Sequence, residues 1–254
     1  YPDVNRRLVS LTPPKPGEQV VDRGAGTGAV TRLLAEQVRN EKGEVIAVDP
    51  SDSAIEVARR NLENLGDVVI RFVQGSAERL SQLVKLPVDA VFFCNAFHLV
   101  HEKEQVLREI RQTLRTEGTF SFNTSFYQGA EPPESERFYK RWMLRAMRFL
   151  RDNHGISPDR TKVEARIRLT EEEYADLLSQ NGFQIRDREV VTVQMPLESF
   201  EDISEYSLWI EGVLPGVPLD MGAEALKHGA REAFEELGLK SSPRNWLLVV
   251  ANRT

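Results

Sequence analysis

The sequence has a single cysteine, no long apolar run and no excess of basic charge. Because Cys94 is the only cysteine, an intramolecular disulfide and a zinc site made of a cysteine cluster are excluded, and a cytoplasmic location is expected. No apolar run approaches the roughly 20 residues of a membrane-spanning helix, so we expect no integral membrane segment. The net charge of −6 argues against a wholesale electrostatic mode of nucleic-acid binding, and no nucleic-acid partner is expected.

What remains is an ordinary globular composition. The chain has 254 residues, of which 41% are hydrophobic and 28% are charged. That length is long for one minimal domain and short for two full ones. We therefore expect a single domain over residues 1–254, with segments inserted into its core.

The first half of the chain alternates short apolar runs with segments of helical spacing. Helices are expected at 30–38, at 51–65 with Ser51 as N-cap, and around 106–114. Gly118, which follows the last of these helices, is expected to stop it. Strands are predicted at 19–23, 44–48, 68–73, 88–93 and 119–123. Such alternation predicts parallel strands joined by right-handed crossovers, in an α/β, doubly wound, mostly parallel sheet.

The second half changes character. Two further strands, 183–195 and 246–251, bring the predicted sheet to seven strands. A helix over 170–180 has capping-box spacing between Thr170 and Glu173. The remaining segments, 127–168 and 197–243, are mostly helical, and we interpret them as insertions that form a helical cap.

The most informative motif is a glycine-rich turn between the first strand and the first predicted helix. It reads Asp22-Arg23-Gly24-Ala25-Gly26-Thr27-Gly28. Glycines permit positive φ and a close approach of ligand to backbone. Together with Ala29, the turn also satisfies the relaxed dinucleotide fingerprint. However, the carboxylate of Asp22 would repel a pyrophosphate, whereas it can hold the cationic amino group of a methionine moiety.

Residues 20–28 resemble motif I of the class I S-adenosylmethionine-dependent methyltransferases: an acid, one apolar residue, then Gly-x-Gly-x-Gly. The sequence departs from the pattern at Arg23. The resemblance covers roughly residues 15–126 and the last strand. The chain is similar to the ubiquinone/menaquinone-biosynthesis type and related small-molecule methyltransferases. The resemblance implies a Rossmann-like fold, S-adenosylmethionine as cofactor with S-adenosylhomocysteine as product, and a small-molecule acceptor.

The resemblance also suggests which residues hold the cofactor. Asp49, at the end of the second strand, can accept both ribose hydroxyls. Ser76 and Ala77 stand in the segment that reads adenine, although Ser76 is equally well explained as a helix N-cap. The expected cofactor residues are Asp22, Gly24, Ala25, Gly26, Asp49, Pro50, Ser76, Ala77 and Asn95. No metal site is expected.

The loop after the fourth strand carries the candidate catalytic residue, His98. In the family this loop faces the acceptor, and an imidazole titrates near neutral pH. The alternative is a hydrogen-bonded loop histidine that takes no proton. We expect methyl transfer to oxygen or carbon of an apolar or aromatic acceptor. The alternatives are a nicotinamide oxidoreductase with the same turn and a non-catalytic binding module.

The predicted helix over 135–151 has two unlike faces. One face places large apolar side chains at helical spacing, and the other is strongly basic. We interpret it as a lid helix with a core face and a solvated face. A membrane-surface element and an anion-binding wall are the alternatives. We expect the two insertions to build the acceptor pocket, using Phe138, Trp142, Phe149, Tyr206, Trp209 and Leu214.

Overall fold

A computed structural model describes residues 2–39, 42–66, 68–85, 87–159 and 168–254. Its seven strands form one sheet in the order β3-β2-β1-β4-β5-β7-β6. The pairs β1–β2, β1–β4, β2–β3 and β4–β5 are parallel, and β5–β7 is antiparallel. The strands are β1 Gln19–Arg23, β2 Glu44–Asp49, β3 Val69–Gln74, β4 Val88–Cys94, β5 Leu114–Thr124, β6 Phe183–Met195 and β7 Ser242–Arg253. The predicted doubly wound, mostly parallel α/β sheet is confirmed.

Helices connect the strands as the alternation predicts. The α-helices are α1 Pro2–Leu11, α2 Ala29–Val38, α3 Asp52–Leu62, α4 Leu80–Leu83, α5 Lys103–Thr113, α6 Glu136–His154, α7 Glu171–Gln180, α8 Leu197–Ile203, α9 Ser207–Val213 and α10 Leu219–Leu237. Short 3₁₀ helices span Ala77–Arg79, Phe97–Leu99 and Pro133–Ser135. Helix α1 was not predicted, and it buries Val4, Leu8 and Val9. None of the helices in the described part of the chain is long and apolar enough to cross a membrane.

One helix cap follows the prediction and one helix end does not. The Ser51 hydroxyl accepts a hydrogen bond from the Ala54 N–H at 3.2 Å, which caps α3. The prediction that Gly118 stops α5 is wrong, because α5 ends at Thr113 and Gly118 lies inside β5. There the β4–β5 register shifts, and a Cβ on Gly118 would lie 2.9 Å from the Arg115 carbonyl oxygen. A glycine is therefore required at position 118, because the Arg115 carbonyl oxygen lies too close for a Cβ at this irregular point of β5.

The chain divides into two compact units. The first contains residues 1–127, 171–191 and 246–254, and the second contains residues 128–170 and 192–245. The bounds of the second unit lie near those of the predicted insertions, 127–168 and 197–243. Residues 160–167 of the first insertion lie outside the described part. The interpretation as one domain carrying a cap stays a prediction.

The second unit has an aromatic core between α6 and α10. Phe138 and Trp142 of α6 are buried, as their spacing predicts, and their rings pack against Phe200. The Trp142 indole N–H donates to the Leu226 carbonyl at 2.7 Å. A Cβ on Gly229 would lie 2.8 Å from the Trp142 carbonyl oxygen. A glycine is therefore needed for α10 to pack this closely on α6.

Candidate functional site

The glycine-rich turn after β1 is tied to the end of β2. The N–H groups of Gly24 and Ala25 both donate to the Val48 carbonyl, at 2.8 and 3.2 Å. Gly24 has φ +72°, and a Cβ there would lie 2.9 Å from Cβ of Ala96, so the loop after β4 packs directly on the turn. Gly26 has φ +52° and would place a Cβ in open space. The turn therefore leaves room on the side of Gly26.

Asp22 is fully buried, and only one of its two carboxylate oxygens has a hydrogen-bond partner among the described residues. One carboxylate oxygen accepts a hydrogen bond from the Thr31 hydroxyl of α2 at 2.6 Å. Among the described residues, the other oxygen has no hydrogen-bond partner. Burial raises the pKa of Asp22 to about 6 against the opposing hydrogen bond from Thr31. A buried carboxylate oxygen without a donor is suited to an incoming cation such as an ammonium group.

Asp49 is held in one orientation by the backbone at the end of β2. Its two carboxylate oxygens accept from the Gly26 N–H and the Ser51 N–H, each at 2.9 Å. Each oxygen can accept a further hydrogen bond, since an ionised carboxylate has about four acceptor positions. The carboxylate thus links the glycine turn to the start of α3 while keeping capacity for a diol.

Arg23, the departure from the motif, is accommodated inside the protein. The residue is 5% exposed, and its guanidinium lies 5.3 Å from the ring centroid of Phe93. The side chain donates to the Val48 carbonyl at 3.4 Å. Burial lowers the pKa of Arg23, while the charges of Asp49 and Glu78 oppose that shift. The buried guanidinium thus contacts an aromatic face and one backbone carbonyl, while its Nε has no hydrogen-bond partner among the described residues.

Ser76 and Ala77 lie between β3 and α4. Ser76 directly precedes the 3₁₀ helix Ala77–Arg79, but its side chain makes no capping hydrogen bond within the described residues. The side-chain N-cap interpretation is therefore not supported. Ala77 is buried, whereas Ser76 is half-buried. Pro50 contributes its carbonyl oxygen to a 3.4 Å hydrogen bond from the side-chain amide of Gln74.

Asn95, in the loop after β4, has a side chain that is committed to a network. Its carbonyl oxygen accepts from the Trp246 indole N–H at 2.9 Å. Its amide nitrogen donates to the Asn5 side chain at 3.4 Å, and Asn123 donates to the same Asn5 oxygen at 2.9 Å. Asn95 also has φ +51°. These contacts fix the loop and leave the Asn95 side chain one amide N–H and one acceptor position for a further hydrogen bond.

His98 lies at the carboxyl end of the sheet, in the 3₁₀ helix after β4. Its Nδ1 is 3.1 Å from the Thr124 hydroxyl, which also accepts from the Phe126 N–H at 2.9 Å. The imidazole stacks on Phe126 with ring centroids 4.4 Å apart. The ring is thereby oriented by β5 and by the residues that follow it. This contact is compatible with both sequence interpretations of His98.

The parallel sheet brings part of the predicted set together. Asp22, Asp49 and Asn95 come from the ends of three adjacent strands, and the glycine turn lies among them. Sequence reasoning missed the positioning partners Thr31, Asn5, Asn123 and Trp246. Of these four residues, only Thr31 could have been found from the local sequence, because it follows the turn at helical spacing. No group of residues able to bind a metal ion occurs within the described ranges.

Comparisons with known proteins agree with this geometry. A family model described as a methyltransferase domain matches residues 14–181. A ubiquinone/menaquinone biosynthesis C-methyltransferase of Legionella pneumophila (strain Corby) is 29% identical over 140 residues, which are 50% of this chain and 52% of that protein. An arsenite methyltransferase of Mus musculus is 29% identical over 152 residues, covering 55% of this chain and 40% of that protein.

A solved structure shares the fold. The structure of a geranyl diphosphate methyltransferase in complex with S-adenosylmethionine has a TM-score of 0.53 and 17% identity, covering 100% of this chain and 85% of that chain. The chain spans about half the length of the curated relatives it matches. The names of these relatives refer to different acceptors, so the feature they share is the methyltransferase domain.

Proposed function

The chain belongs to the methyltransferase domain family, and from this premise we propose that it transfers the methyl group of S-adenosylmethionine to a small acceptor and releases S-adenosylhomocysteine. The observation that carries this proposal is the buried Asp22 carboxylate with one oxygen lacking a donor among the described residues. It lies beside a turn whose Gly26 leaves open space. A cationic amino group would complete the site, whereas a pyrophosphate would be repelled.

Two carboxylates of this chain would hold the polar groups of the cofactor in this proposal. Asp22 would accept from its ammonium group. Asp49, already oriented by Gly26 and Ser51, would accept from the ribose hydroxyls. Ser76 and Ala77 would lie against adenine. The remaining proposed contacts come from Gly24, Ala25, Gly26, Pro50 and Asn95.

The chemistry asks for positioning more than for protein-derived reactivity. When bound, S-adenosylmethionine supplies an already activated methyl group. The chain must then hold the acceptor in line and exclude water. The Asn5–Asn95–Trp246 network serves this purpose by fixing the loop that packs on Gly24. A rigid loop reduces the conformational freedom that binding would otherwise have to remove.

Calorimetry with separate ligands tests the proposed cofactor class. We expect S-adenosylhomocysteine and S-adenosylmethionine to bind, and NAD and NADP not to bind. Specific binding should also raise the melting temperature, with a stabilisation that grows as the logarithm of ligand concentration above Kd. Binding of NAD together with no binding of S-adenosylhomocysteine would refute the proposal and favour a nicotinamide oxidoreductase.

We further propose that His98 is the general base when the acceptor atom is oxygen. Thr124 orients its Nδ1, and the base role would fall to the other ring nitrogen. His98→Gln should slow methyl transfer to phenols by about 10²–10⁴-fold. The affinity for S-adenosylhomocysteine should stay within about twofold, because the imidazole is assigned no cofactor contact. Tritiated methyl transfer to a panel of phenols gives the rate, and calorimetry gives the affinity.

A matched control is His101→Gln, a nearby histidine that precedes α5. Equal rates and pH profiles for wild type, His98→Gln and His101→Gln on an oxygen acceptor would exclude the base role. A carbon acceptor in the same panel should be less sensitive to His98→Gln. The preference for an apolar or aromatic acceptor, and a pocket built by segments 127–168 and 197–243, stay predictions that this panel begins to test.

A further inference from the structure

Helix α6 exposes a cationic face that contains none of the proposed cofactor-binding residues. At 100° per residue, seven of its residues fall within about one third of the helix circumference. We call these residues the basic face: Arg137, Lys140, Arg141, Leu144, Met147, Arg148 and Arg151. Leu144 and Met147 are 53% and 43% exposed. Leu144 lies at the middle of the face, at helical spacing from Lys140, Arg141 and Arg148, and Met147 lies at its edge beside Arg151.

The acids near the basic face lie at its ends or on another helix. Glu136 pairs with Lys140 in the first turn, Asp152 pairs with Arg148 and Arg151 in the last, and Glu236 of α10 pairs with Arg141. From residue 137 to residue 151 the helix carries no acid at all. Exposed ion pairs of this kind contribute little and are screened by salt. The guanidinium groups can therefore exchange a carboxylate for another anion.

The basic face borders an open groove of about 980 Å³ within the second unit. Arg141, Arg145, Arg148 and Arg151 line it together with Leu144 and Met147. Its other side is formed by Ser157, Pro158, Asp159 and Val213. Cations alternating with apolar side chains match an anionic headgroup that is joined to hydrocarbon. Asp159 is the one acid among these four residues. Its backbone N–H donates to the Pro215 carbonyl oxygen.

We propose that the basic face docks this protein on a membrane surface containing anionic phospholipid. Basic residues near such a surface gain attraction to phosphate, and exposed apolar side chains gain burial at the boundary between headgroup and acyl chain. A nucleic acid would satisfy the arginines but would leave Leu144 and Met147 in water. A second copy docked through the same face would present the same cations and be repelled. With a net charge of −6, the chain as a whole is not attracted to an anionic surface, so the attraction has to come from a local basic patch such as this face.

Vesicle sedimentation with the whole chain tests the proposal. Vesicles of phosphatidylcholine mixed with phosphatidylglycerol should pellet the protein, and vesicles of phosphatidylcholine alone should not. High salt should weaken the binding, since exposed charges are screened within about a Debye length. Equal binding to both kinds of vesicle would overturn the proposal. So would duplex DNA that binds as tightly as the anionic vesicles, because the surface would then recognise phosphate without lipid.

Two sets of substitutions separate charge from apolar contact. Neutralising Arg137, Arg148 and Arg151 to Gln should reduce affinity for anionic vesicles by at least about tenfold. Leu144→Ser with Met147→Ser should weaken binding while leaving its salt dependence unchanged. The matched control neutralises the exposed Arg59, Arg60 and Arg108 of the first unit. Unchanged melting temperatures verify folding, and an equal loss in the control would refute the assignment to this face.

Discussion

Asp22→Asn is expected to weaken S-adenosylhomocysteine binding by about 10- to 150-fold, which corresponds to roughly 1.5–3 kcal/mol for a hydrogen bond to a charged group. The substitution keeps the shape and an oxygen for the Thr31 hydroxyl but removes the charge. The same substitution should leave the folded protein at least as stable at pH 7. Burial disfavours the ionised carboxylate, and the desolvation penalty of a neutral amide is smaller.

The dependence on pH has a definite sign. The folded pKa of Asp22 is raised to about 6 from 3.8, so the native state binds this proton more tightly than the unfolded state. The contribution of Asp22 to stability therefore falls as pH rises from about 4 to about 6. Any stability advantage of Asp22→Asn should be largest above pH 6 and shrink below it. Chemical denaturation at several pH values measures this difference.

Cofactor affinity should show the opposite trend in the wild type. The ammonium group of S-adenosylhomocysteine prefers the ionised carboxylate, so binding should weaken as pH falls below about 6. Asp22→Asn should abolish this dependence. Asp52→Asn is the matched control, because Asp52 is an exposed acid in the first turn of α3. A wild-type affinity that is flat between pH 5 and pH 7 would contradict the role of Asp22.

Asp49→Ala is the second substitution with a large expected effect, again about 10- to 150-fold on the Kd for S-adenosylhomocysteine. Two causes add. The ribose hydroxyls lose their acceptor, and the Gly26 and Ser51 N–H groups lose the carboxylate that fixes the turn. Isothermal calorimetry measures the affinity, and Asp52→Ala again controls for the loss of one negative charge.

The two causes can be separated from the ligand side. The 2′-deoxy analogue of S-adenosylhomocysteine lacks one of the proposed hydrogen bonds to Asp49. The penalty of Asp49→Ala should therefore be smaller for the analogue than for the complete ligand. Equal penalties would mean that Asp49 acts only by shaping the turn. An unchanged Kd in a folded Asp49→Ala variant would remove Asp49 from the site altogether.

Local sequence patterns were sufficient to predict much of the fold and the residues at the centre of the candidate site. The apolar runs of β1, β2 and β4 are short and bounded by turn residues, so their positions could be predicted to within one residue. The glycine turn could be predicted because positive φ leaves few other residue choices. Gly118 misled because a glycine after a helical segment usually marks the helix end, whereas here a strand register shift needs it.

The side-chain partners of the site could not be predicted from sequence. Asn5, Asn123 and Trp246 are far from Asn95 in the chain and meet it only because α1, β5 and β7 converge at the end of β4. The orientation of the Asn95 side chain depends on that convergence. The buried state of Arg23 likewise required Phe93 and Asp49 to lie around it.

The sequence by itself determined the strand–turn–helix unit of Asp22 and its glycines, the position of Asp49 at the end of β2 and the two faces of α6. Each depends on residues close together in the chain, where backbone geometry and helical or strand periodicity decide the outcome. Only the tertiary structure decided that Asp22 is fully buried, which raises its pKa to about 6. It also decided that the Asn95 side chain is already engaged. Burial and long-range hydrogen bonds depend on which strands become neighbours, and that is a property of the whole sheet.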